Sequence, residues 1–141
     1  MKFFDSKTLI VQGITEPSLS REYPYQRIPD HYRKTLREEL WDFSQDSAGV
    51  SITFQTNSSK ILLKWKVKID FKMNHMTNTA IKGLDLYEFR HNNWIYASTG
   101  IPNNKKNEQV LFQNKNDIMR KFRLHLPLYD IITNLKISID S

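Results

Sequence analysis

Histidines, cysteines and serines most often carry hydrolytic or metal chemistry. This chain has no cysteine, and the spacing of its histidines and serines argues against a metal site and against a hydrolytic site. The four histidines are His31, His75, His91 and His125, and no two are spaced as His-x-His or His-x3-His. There is no cysteine, so a zinc site would need carboxylates from scattered loops. No serine lies in a Gly-x-Ser-x-Gly elbow, the turn that exposes the nucleophile of α/β-hydrolases. We therefore expect no catalytic residue, no bound metal and no cofactor in this chain.

His75 and Met76 lie in a connection that is long for a small domain. The stretch Asp70–Gly83 (DFKMNHMTNTAIKG) separates two segments with strand patterns, and connections of this length are often functional. Met76 is of a residue type that suits adaptable contact surfaces, and His75 could be presented to a substrate or a partner. The alternative is a loop folded over one end of the domain, in which His75 is only hydrogen-bonded.

Asp85 is a second candidate because it interrupts an apolar strand pattern. It stands between Leu84 and Leu86, and its face of the strand would also carry Tyr87. Aspartate is depleted in strands, and a buried carboxylate needs hydrogen-bond donors. We predict that Asp85 anchors the preceding loop through backbone N–H groups, or accepts from a tyrosine hydroxyl. Contact with a ligand is the alternative.

The chain is basic, with 21 Lys and Arg against 15 Asp and Glu among 141 residues and a formal net charge of +6. A basic surface favours anionic partners. The sequence contains no helix-turn-helix, zinc-finger or RNA-recognition signature, so we expect no nucleic-acid partner. We interpret Lys64, Lys66, Lys68 and Lys72 as the solvated face of a sheet, with anion binding as the alternative.

The sequence has no feature of a membrane protein. No apolar run approaches the ~20 residues of a membrane span, so we expect no membrane partner. The first residues, MKFFDSKTLIVQG, lack the apolar segment and the small-residue cleavage site of a signal peptide. The compartment stays open: cytoplasmic, or periplasmic or secreted if a signal peptide has been removed.

Most of the chain follows the two-residue period of half-buried strands. From Lys64 to Lys72, apolar and charged residues alternate almost strictly. The same alternation predicts strands at Val50–Gln55, Lys121–Leu126 and Leu135–Asp140, with shorter ones at Thr8–Gln12, Leu84–Phe89, Trp94–Ser98 and Gln109–Phe112. The predicted core consists of the inward members of these strands: Ile52, Phe54, Trp65, Val67, Ile69, Leu124, Leu126, Leu135 and Ile137.

One segment departs from this period and predicts a short helix over Asp30–Trp41. Pro29 precedes it, and Tyr32, Leu36 and Leu40 would form its buried stripe. Evenly spaced strands with one helix and no alternation of strands and helices are typical of a two-sheet sandwich. We therefore predict a single all-β domain over residues 1–141, an antiparallel sandwich with one short helix near residues 30–41.

Five motifs in order resemble one family, one of them in two parts, Trp41–Ser44 and Ser47–Gly49. Gly83-Leu84-Asp85-Leu86-Tyr87 resembles the Gly-x-Asp-Leu-Tyr signature of the β-sandwich domain that precedes SGNH/GDSL-type esterase domains. The other elements that resemble this family are Tyr25-Gln26-Arg27-Ile28-Pro29, Trp41-Asp42-Phe43-Ser44, Ser47-Ala48-Gly49, Asn74-His75-Met76 and Leu126-Pro127-Leu128-Tyr129. Asn74, Phe43 and Ile28 replace the family's usual Pro, Leu and Leu. These departures concern packing and loop stiffness.

The catalytic blocks of SGNH hydrolases are absent from the sequence. Gly13, Gly49, Gly83 and Gly100 are never followed by Asp-Ser, and no Asp lies three residues before a His. The resemblance therefore implies a jelly-roll-like sandwich that accompanies a hydrolase domain, often one that acts on esterified carbohydrate. The residues that it offers as substrate or domain-interface candidates are Tyr25, Arg27, His75, Met76, Asp85 and Tyr87.

Three functions stay open from the sequence. The first is a non-catalytic accessory domain that packs on an SGNH-type catalytic domain and helps shape substrate binding, which predicts an exposed apolar patch. The second is a stand-alone carbohydrate-binding module, which predicts a row of exposed coplanar aromatic rings. The third is anion binding through the lysines, which predicts salt-sensitive association. The aromatic candidates for the second function, most of them expected in the core or at its rim, are Tyr23, Tyr25, Trp41, Trp94, Tyr96 and Tyr129.

Overall fold

Two antiparallel sheets pack into a sandwich, which confirms the predicted all-β fold class. The structure is a computed structural model, and it describes residues 2–140, which contain nine strands. One sheet has the order β1-β9-β4-β7, and the other has the order β2-β3-β8-β5-β6. The strands are β1 (Lys2–Asp5), β2 (Ile10–Gln12), β3 (Ser51–Thr56), β4 (Lys60–Val67), β5 (Leu84–Arg90), β6 (Asn93–Gly100), β7 (Lys106–Gln113), β8 (Arg120–His125) and β9 (Ile132–Ile139).

Tight turns join strands where the sequence predicts them. His91 and Asn92, with φ of 51° and 61°, connect β5 to β6. Positive φ at both central positions marks a type I′ turn, whose twist matches that of a two-residue hairpin. Asn57–Ser59 connects β3 in one sheet to β4 in the other.

The hydrophobic core lies between the sheets and is built from alternate residues of the strands. Leu63 and Trp65 on β4 and Ile137 on β9 pack in one buried cluster with Ile52 on β3 and Leu124 on β8. Each such side chain contributes about 1.5–3 kcal/mol by leaving water. All the predicted core residues except Ile69 belong to this cluster.

The strand predicted over Lys64–Lys72 ends earlier than the alternation suggests. β4 stops at Val67, and Ile69 is 51% exposed rather than in the core. Asp70 has a φ of 60°, which turns the chain out of the extended conformation. Phe71, on the same predicted face, is also exposed. Apolar and charged residues keep alternating from Lys68 to Lys72, but these residues form an exposed loop, so the pattern does not mark the end of the strand.

The helical segment lies further along the chain than predicted. A 3₁₀ helix spans Asp30–Lys34, and an α-helix, α1, spans Glu38–Gln45, so the expected single helix over 30–41 is wrong in its bounds. Leu40 is 46% exposed, whereas Trp41 is 5% exposed. The large apolar area of the indole is buried in place of the predicted stripe, because aromatic side chains dominate burial in small domains. A second short helix, α2 (Asn78–Lys82), lies inside the 70–83 connection, with Thr77 as its N-cap.

Within residues 2–140, no helix is both long enough and apolar enough to cross a membrane.

Candidate functional site

The segments that resemble family motifs meet at one end of the sandwich. The backbone N–H of Arg27 donates to the carbonyl oxygen of Ser44 over 3.0 Å. The hydroxyl of Ser47 donates to the carbonyl oxygen of Pro127 over 2.7 Å, across 80 positions of sequence. We call this region the motif end, and it comprises residues 25–29, 41–49, 69–83 and 126–131.

A buried carboxylate holds the motif end together. Asp130 is inaccessible to solvent and accepts hydrogen bonds from the backbone N–H groups of Ile69, Phe71 and Ile131, over 3.2, 2.9 and 2.7 Å. Its own carbonyl oxygen accepts from the N–H of Ser47 over 3.4 Å. Hydrogen bonds to an ionised acceptor are roughly twice as strong as neutral ones, so Asp130 fixes the start of the 70–83 connection. Nothing in the sequence pattern marks it.

An ion pair between a buried lysine and a partly exposed aspartate closes the same connection. The ammonium of Lys82, which is almost completely buried, contacts the carboxylate of Asp70. This hydrogen bond lowers the pKa of Asp70 from its ordinary value. The N–H of Tyr129 donates to the carbonyl oxygen of Ile81 over 3.0 Å and joins the end of the connection to the segment before β9.

Asp85 does not anchor the 70–83 connection, so that prediction is wrong. Its side chain is exposed on the outer face of the five-stranded sheet and accepts a hydrogen bond of 2.7 Å from the hydroxyl of Thr99 on β6. The hydroxyl oxygen of Thr99 lies 2.6 Å from that of Tyr96. The hydroxyl hydrogen of Thr99 is used in the bond to Asp85, so the Thr99 oxygen accepts the hydrogen bond from Tyr96. Thr99 therefore links the hydroxyl of Tyr96 to the carboxylate of Asp85.

His125 and Tyr87 flank Asp85 on the same face. His125 on β8 lies directly across from Asp85, and the ring of Tyr87 is 5.2 Å from the His125 ring at an edge-to-face angle of 79°. Partial burial lowers the pKa of His125, as does the charge of Arg123, while Asp85 acts in the opposite direction. A lowered pKa favours the neutral form of the His125 imidazole, which can both donate and accept hydrogen bonds next to the exposed carboxylate of Asp85.

His75 and Met76 lie on the exposed side of the connection. The Nδ1 atom of the exposed His75 side chain lies 3.1 Å from the Oδ1 of its neighbour Asn74. Met76 is half-buried and pairs with Met73 in an isolated β-bridge. The structure separates His75 from the Asp85 hydrogen bonds, and its contact with a substrate or partner remains a prediction.

The side chains of Tyr25 and Arg27 hydrogen-bond to other residues of this domain. Tyr25 is buried, its hydroxyl hydrogen-bonds to Ser6, and burial raises its pKa above the ordinary value. The guanidinium of Arg27 donates to the carbonyl oxygen of Asp46 over 3.1 Å and to that of Phe43. These carbonyls end α1, and a cation there satisfies groups that have no helical partner.

Asp46 is a functional candidate that sequence reasoning missed. Burial, followed by the nearby charge of Asp130, raises its pKa to about 6, and Arg27 opposes this shift. Its carboxyl group therefore changes protonation within the pH range in which many proteins work. No spacing or pattern in the sequence distinguishes it from other aspartates.

Large apolar side chains surround the motif end on its solvent side. Phe43 on α1 is 60% exposed, and Leu128 is 45% exposed. Three further exposed apolar side chains adjoin Asp130. The backbone N–H groups of Ile69 and Phe71 donate to its carboxylate, and Tyr129 directly precedes it in the sequence. Clustered apolar exposure of this kind marks contact surfaces in soluble proteins.

The aromatic rings on the outer face of the five-stranded sheet are not coplanar. Phe89 and Trp94 are inclined by 58°, and Tyr87 and Tyr96 by 77°. The guanidinium of Arg123 lies 4.2 Å from the centre of the Trp94 ring and covers it. A row of rings for stacking on successive sugars is therefore not formed by these side chains.

Metal ligation finds no support in the geometry. In the part of the chain that the structure describes, no group of three or more His, Asp or Glu side chains is arranged to hold a metal ion.

Gly83 and Leu86 of the Gly-x-Asp-Leu-Tyr motif serve the fold. A Cβ atom on Gly83 would overlap the carbonyl oxygen of Thr79 and lie 2.9 Å from that of Gly100, so only glycine fits without a backbone shift. Leu86 is fully buried in the core. Asp85 and Tyr87, by contrast, point away from the core.

Comparison with known proteins agrees with this arrangement. The whole chain, residues 1–141, matches the family profile described as GxDLY, the N-terminus of SGNH hydrolase-type esterases. Among solved structures, a GDSL-like lipase from Bacteroides ovatus ATCC 8483 is similar, with a TM-score of 0.89 and 31% identity. The match covers 99% of this chain and 41% of the lipase chain, so this chain spans about two-fifths of that relative. A search of curated proteins gave no significant match. The chain therefore belongs to the family of N-terminal domains of SGNH-type esterases that carries the Gly-x-Asp-Leu-Tyr motif.

Proposed function

We propose that this chain is the non-catalytic accessory domain of an SGNH-type ester hydrolase and that it packs against the catalytic domain through its motif end. The observation that carries this proposal is the exposed apolar cluster around Asp130, with Phe43 60% exposed. Apolar surface of this kind is stabilised when a partner covers it, at roughly 25 cal/mol per Å².

The outward residues of the family motif support the same surface. Gly83 and Leu86 are needed for folding, whereas Asp85 and Tyr87 lie on the outer face, where the sandwich itself does not need them. Asp85 stands at the start of β5, close to the 70–83 connection, so it continues the motif end onto this face. A partner that contacts the motif end can therefore use its carboxylate and the tyrosine ring.

The substrate side of the proposal rests on the exposed polar groups at this end. His75 is exposed and free to hydrogen-bond outward, and Asp85 has an exposed carboxylate. We place these two side chains, with Met76, at the rim of a cleft completed by the catalytic domain. The proposed substrate is an esterified carbohydrate, whose hydroxyl groups suit an imidazole and a carboxylate.

The test uses the two-domain hydrolase and substitutions at matched exposed apolar positions. Phe43→Asp and Leu128→Asp lie at the motif end, and Ile118→Asp lies before β8 at the opposite end, 52% exposed in the free domain. Affinity between this chain and the separately produced catalytic domain is measured by calorimetry, together with ester turnover in the intact protein. We expect the motif-end variants to weaken docking by about tenfold or more, as at interface hot spots, and Ile118→Asp to leave docking unchanged.

Two results would contradict the proposal. One is docking that survives both motif-end substitutions. The other is docking that Ile118→Asp weakens as strongly as they do. His75→Ala separates the substrate role: lower turnover with unchanged docking supports it, and unchanged turnover and docking exclude it.

A further inference from the structure

A groove on the outer face of the four-stranded sheet collects lysines that are far apart in the sequence. The register places Lys64 of β4 directly across from Lys136 of β9, and Lys66 of β4 directly across from Lys106 of β7. Strand neighbours lie about 4.8 Å apart, and residues two apart on one strand lie about 6.8 Å apart. Lys64, Lys66 and Lys106 line one groove, and Lys136 lies beside it across from Lys64. We call it the lysine groove, and its other lining residues include Asn107, Glu108 and Asn134.

The lysines of this groove are unevenly compensated, since Asp5 of β1 lies directly across from Lys136, whereas Lys66 and Lys106 face each other. Lys64 has a carboxylate partner, Glu108, at 3.7 Å, and both side chains are about half exposed. Among residues 2–140, no ion pair involves Lys66, Lys106 or Lys136. Like charges directly opposite each other on a sheet are destabilising, so the pairs Lys64–Lys136 and Lys66–Lys106 are expected to lower the free energy of unfolding.

Protection against aggregation explains only Lys106, which lies on the edge strand β7. Lysines on an edge strand prevent pairing with another chain, but β4 and β9 are the two central strands of this sheet. Lys64, Lys66 and Lys136 therefore stand where no free backbone edge exists. A ligand of opposite charge would turn their mutual repulsion into attraction.

We propose that the lysine groove binds an acidic carbohydrate chain, one whose sugars carry carboxylates. The lysines pair with the carboxylates. The side-chain amide of Asn134, which has no hydrogen-bond partner within the described part of the chain, and the carboxylate of Glu108 bond to sugar hydroxyls. Trp65 is buried, and the exposed ring next to the groove, Phe3, is covered by the Lys64 ammonium at 4.2 Å, which leaves less aromatic surface on which nucleobases can stack.

The choice of a carbohydrate among polyanions rests on the proposed function as part of an ester hydrolase. The lysine groove lies on the four-stranded sheet, whereas Asp85 and Tyr87 lie on the five-stranded sheet. Because the two faces are on opposite sides of the sandwich, a polymer in the lysine groove leaves Asp85 and Tyr87, which continue the docking surface of the motif end, uncovered. The accessory domain would then keep an acidic polysaccharide near the hydrolase.

The experiment measures retardation of the 141-residue chain in native gels that contain polygalacturonate, dextran or polyuridylate. One variant carries Lys66→Gln and Lys106→Gln. Its control carries Lys34→Gln and Lys115→Gln, which remove the same charge from exposed positions outside the groove. We expect polygalacturonate to retard the wild-type chain, and added salt to weaken this binding. The groove variant should bind about tenfold more weakly than wild type, a difference equivalent to about 1.4 kcal/mol, and the control less than about twofold more weakly.

Other outcomes overturn the proposal. Equal loss in both variants would mean that net charge alone attracts the polymer. Stronger retardation by polyuridylate would assign the groove to nucleic acid, and equal retardation by dextran or none by polygalacturonate would exclude an acidic ligand. Because this assay needs no catalytic domain, its result is separate from the docking test. Intact docking without polygalacturonate binding removes only this inference.

Discussion

The hydroxyl of Thr99 donates a 2.7 Å hydrogen bond to the exposed carboxylate of Asp85. This bond joins two neighbouring strands of one sheet, and within residues 2–140 the Asp85 carboxylate accepts no hydrogen bond from the 70–83 connection. The connection is held instead by Asp130, whose carboxylate accepts from the backbone on either side of Asp70. The two aspartates therefore have different roles that mutation can separate.

Asp130→Ala should destabilise the domain far more than Asp85→Ala. Removing the Asp130 carboxylate leaves three backbone N–H groups without an acceptor at a buried site, at a cost of about 3 kcal/mol or more. Removing the exposed Asp85 carboxylate should cost less than about 1 kcal/mol. Urea unfolding gives both free energies. A larger loss for Asp85→Ala would restore it as the anchor of the connection.

Trp41→Ala and Leu40→Ala test which face of α1 is buried. Trp41 is 5% exposed and should cost about 3–5 kcal/mol when truncated. Leu40 is 46% exposed, so its truncation should change the free energy of unfolding by less than about 0.5 kcal/mol. The pair is compared by thermal and urea unfolding. Similar losses at the two positions would mean that Leu40 is buried after all.

Gly83→Ala tests the close approach that the motif glycine permits. Its φ is −77°, which any residue adopts, so the cost is the overlap of the new Cβ with the carbonyl oxygen of Thr79. We expect a loss of about 2–4 kcal/mol, because backbone must move. Gly49→Ala is the control, since its φ is 81° with no atom near the new Cβ, and backbone strain alone costs about 1–2 kcal/mol. Equal or reversed losses would rule out the overlap as the reason for glycine.

Asp46→Asn should change the pH dependence of stability. The pKa of Asp46 is raised from 3.8 to about 6 by burial and by Asp130, so the folded state binds this proton more tightly than the unfolded state. The stabilising contribution is therefore full below pH 3.8 and is lost as the pH rises through about 6. Relative to wild type, the Asn variant should gain stability from about pH 4 to about pH 7 and then level off.

The control for this pH prediction is Asp140→Asn, which should show the opposite sign. Hydrogen bonds from Ser59 lower the pKa of Asp140, so its contribution is present above the unfolded pKa and lost as the pH falls. The Asp140→Asn deficit should therefore shrink in acid. Unfolding free energies of both variants across the pH range decide the matter. A flat difference between wild type and Asp46→Asn would show that Asp46 has an ordinary pKa.

Local sequence patterns predicted the strands and turns, because these depend on residues that are close in the sequence. Alternation located eight of the nine strands in the described region, and the His91–Asn92 turn followed from its residue types. Alternation did not reveal where β4 ends, because the segment that follows the strand is held by the carboxylate of Asp130, which lies 59 residues after Phe71. The bounds of the helical region were also wrong, since burial of the Trp41 indole outweighed the spacing of smaller residues.

The candidate site depended on long-range contacts that a single sequence does not contain. Asp85 became a candidate because aspartate is unusual in a strand, His75 because it lies in a long connection, and Tyr87 because it belongs to the family motif; their functional roles stay predictions. Phe43 and Leu128 were not identified as surface residues, because apolar type alone suggests burial. The pairing of Lys64 with Lys136 and of Lys66 with Lys106 depends on strand register, which only the folded sheets define.

The place of β9 in its sheet has a consequence for how the chain folds. β9 is the last strand in sequence, yet it lies between β1 and β4, and Lys2 is paired with Ile139. During synthesis, β1 and β4 would therefore wait, with unpaired edges, until Ile132–Ile139 are available. Such non-local pairing slows folding and exposes intermediates to aggregation. A deletion within β9 would split the four-stranded sheet in the middle rather than trim its edge.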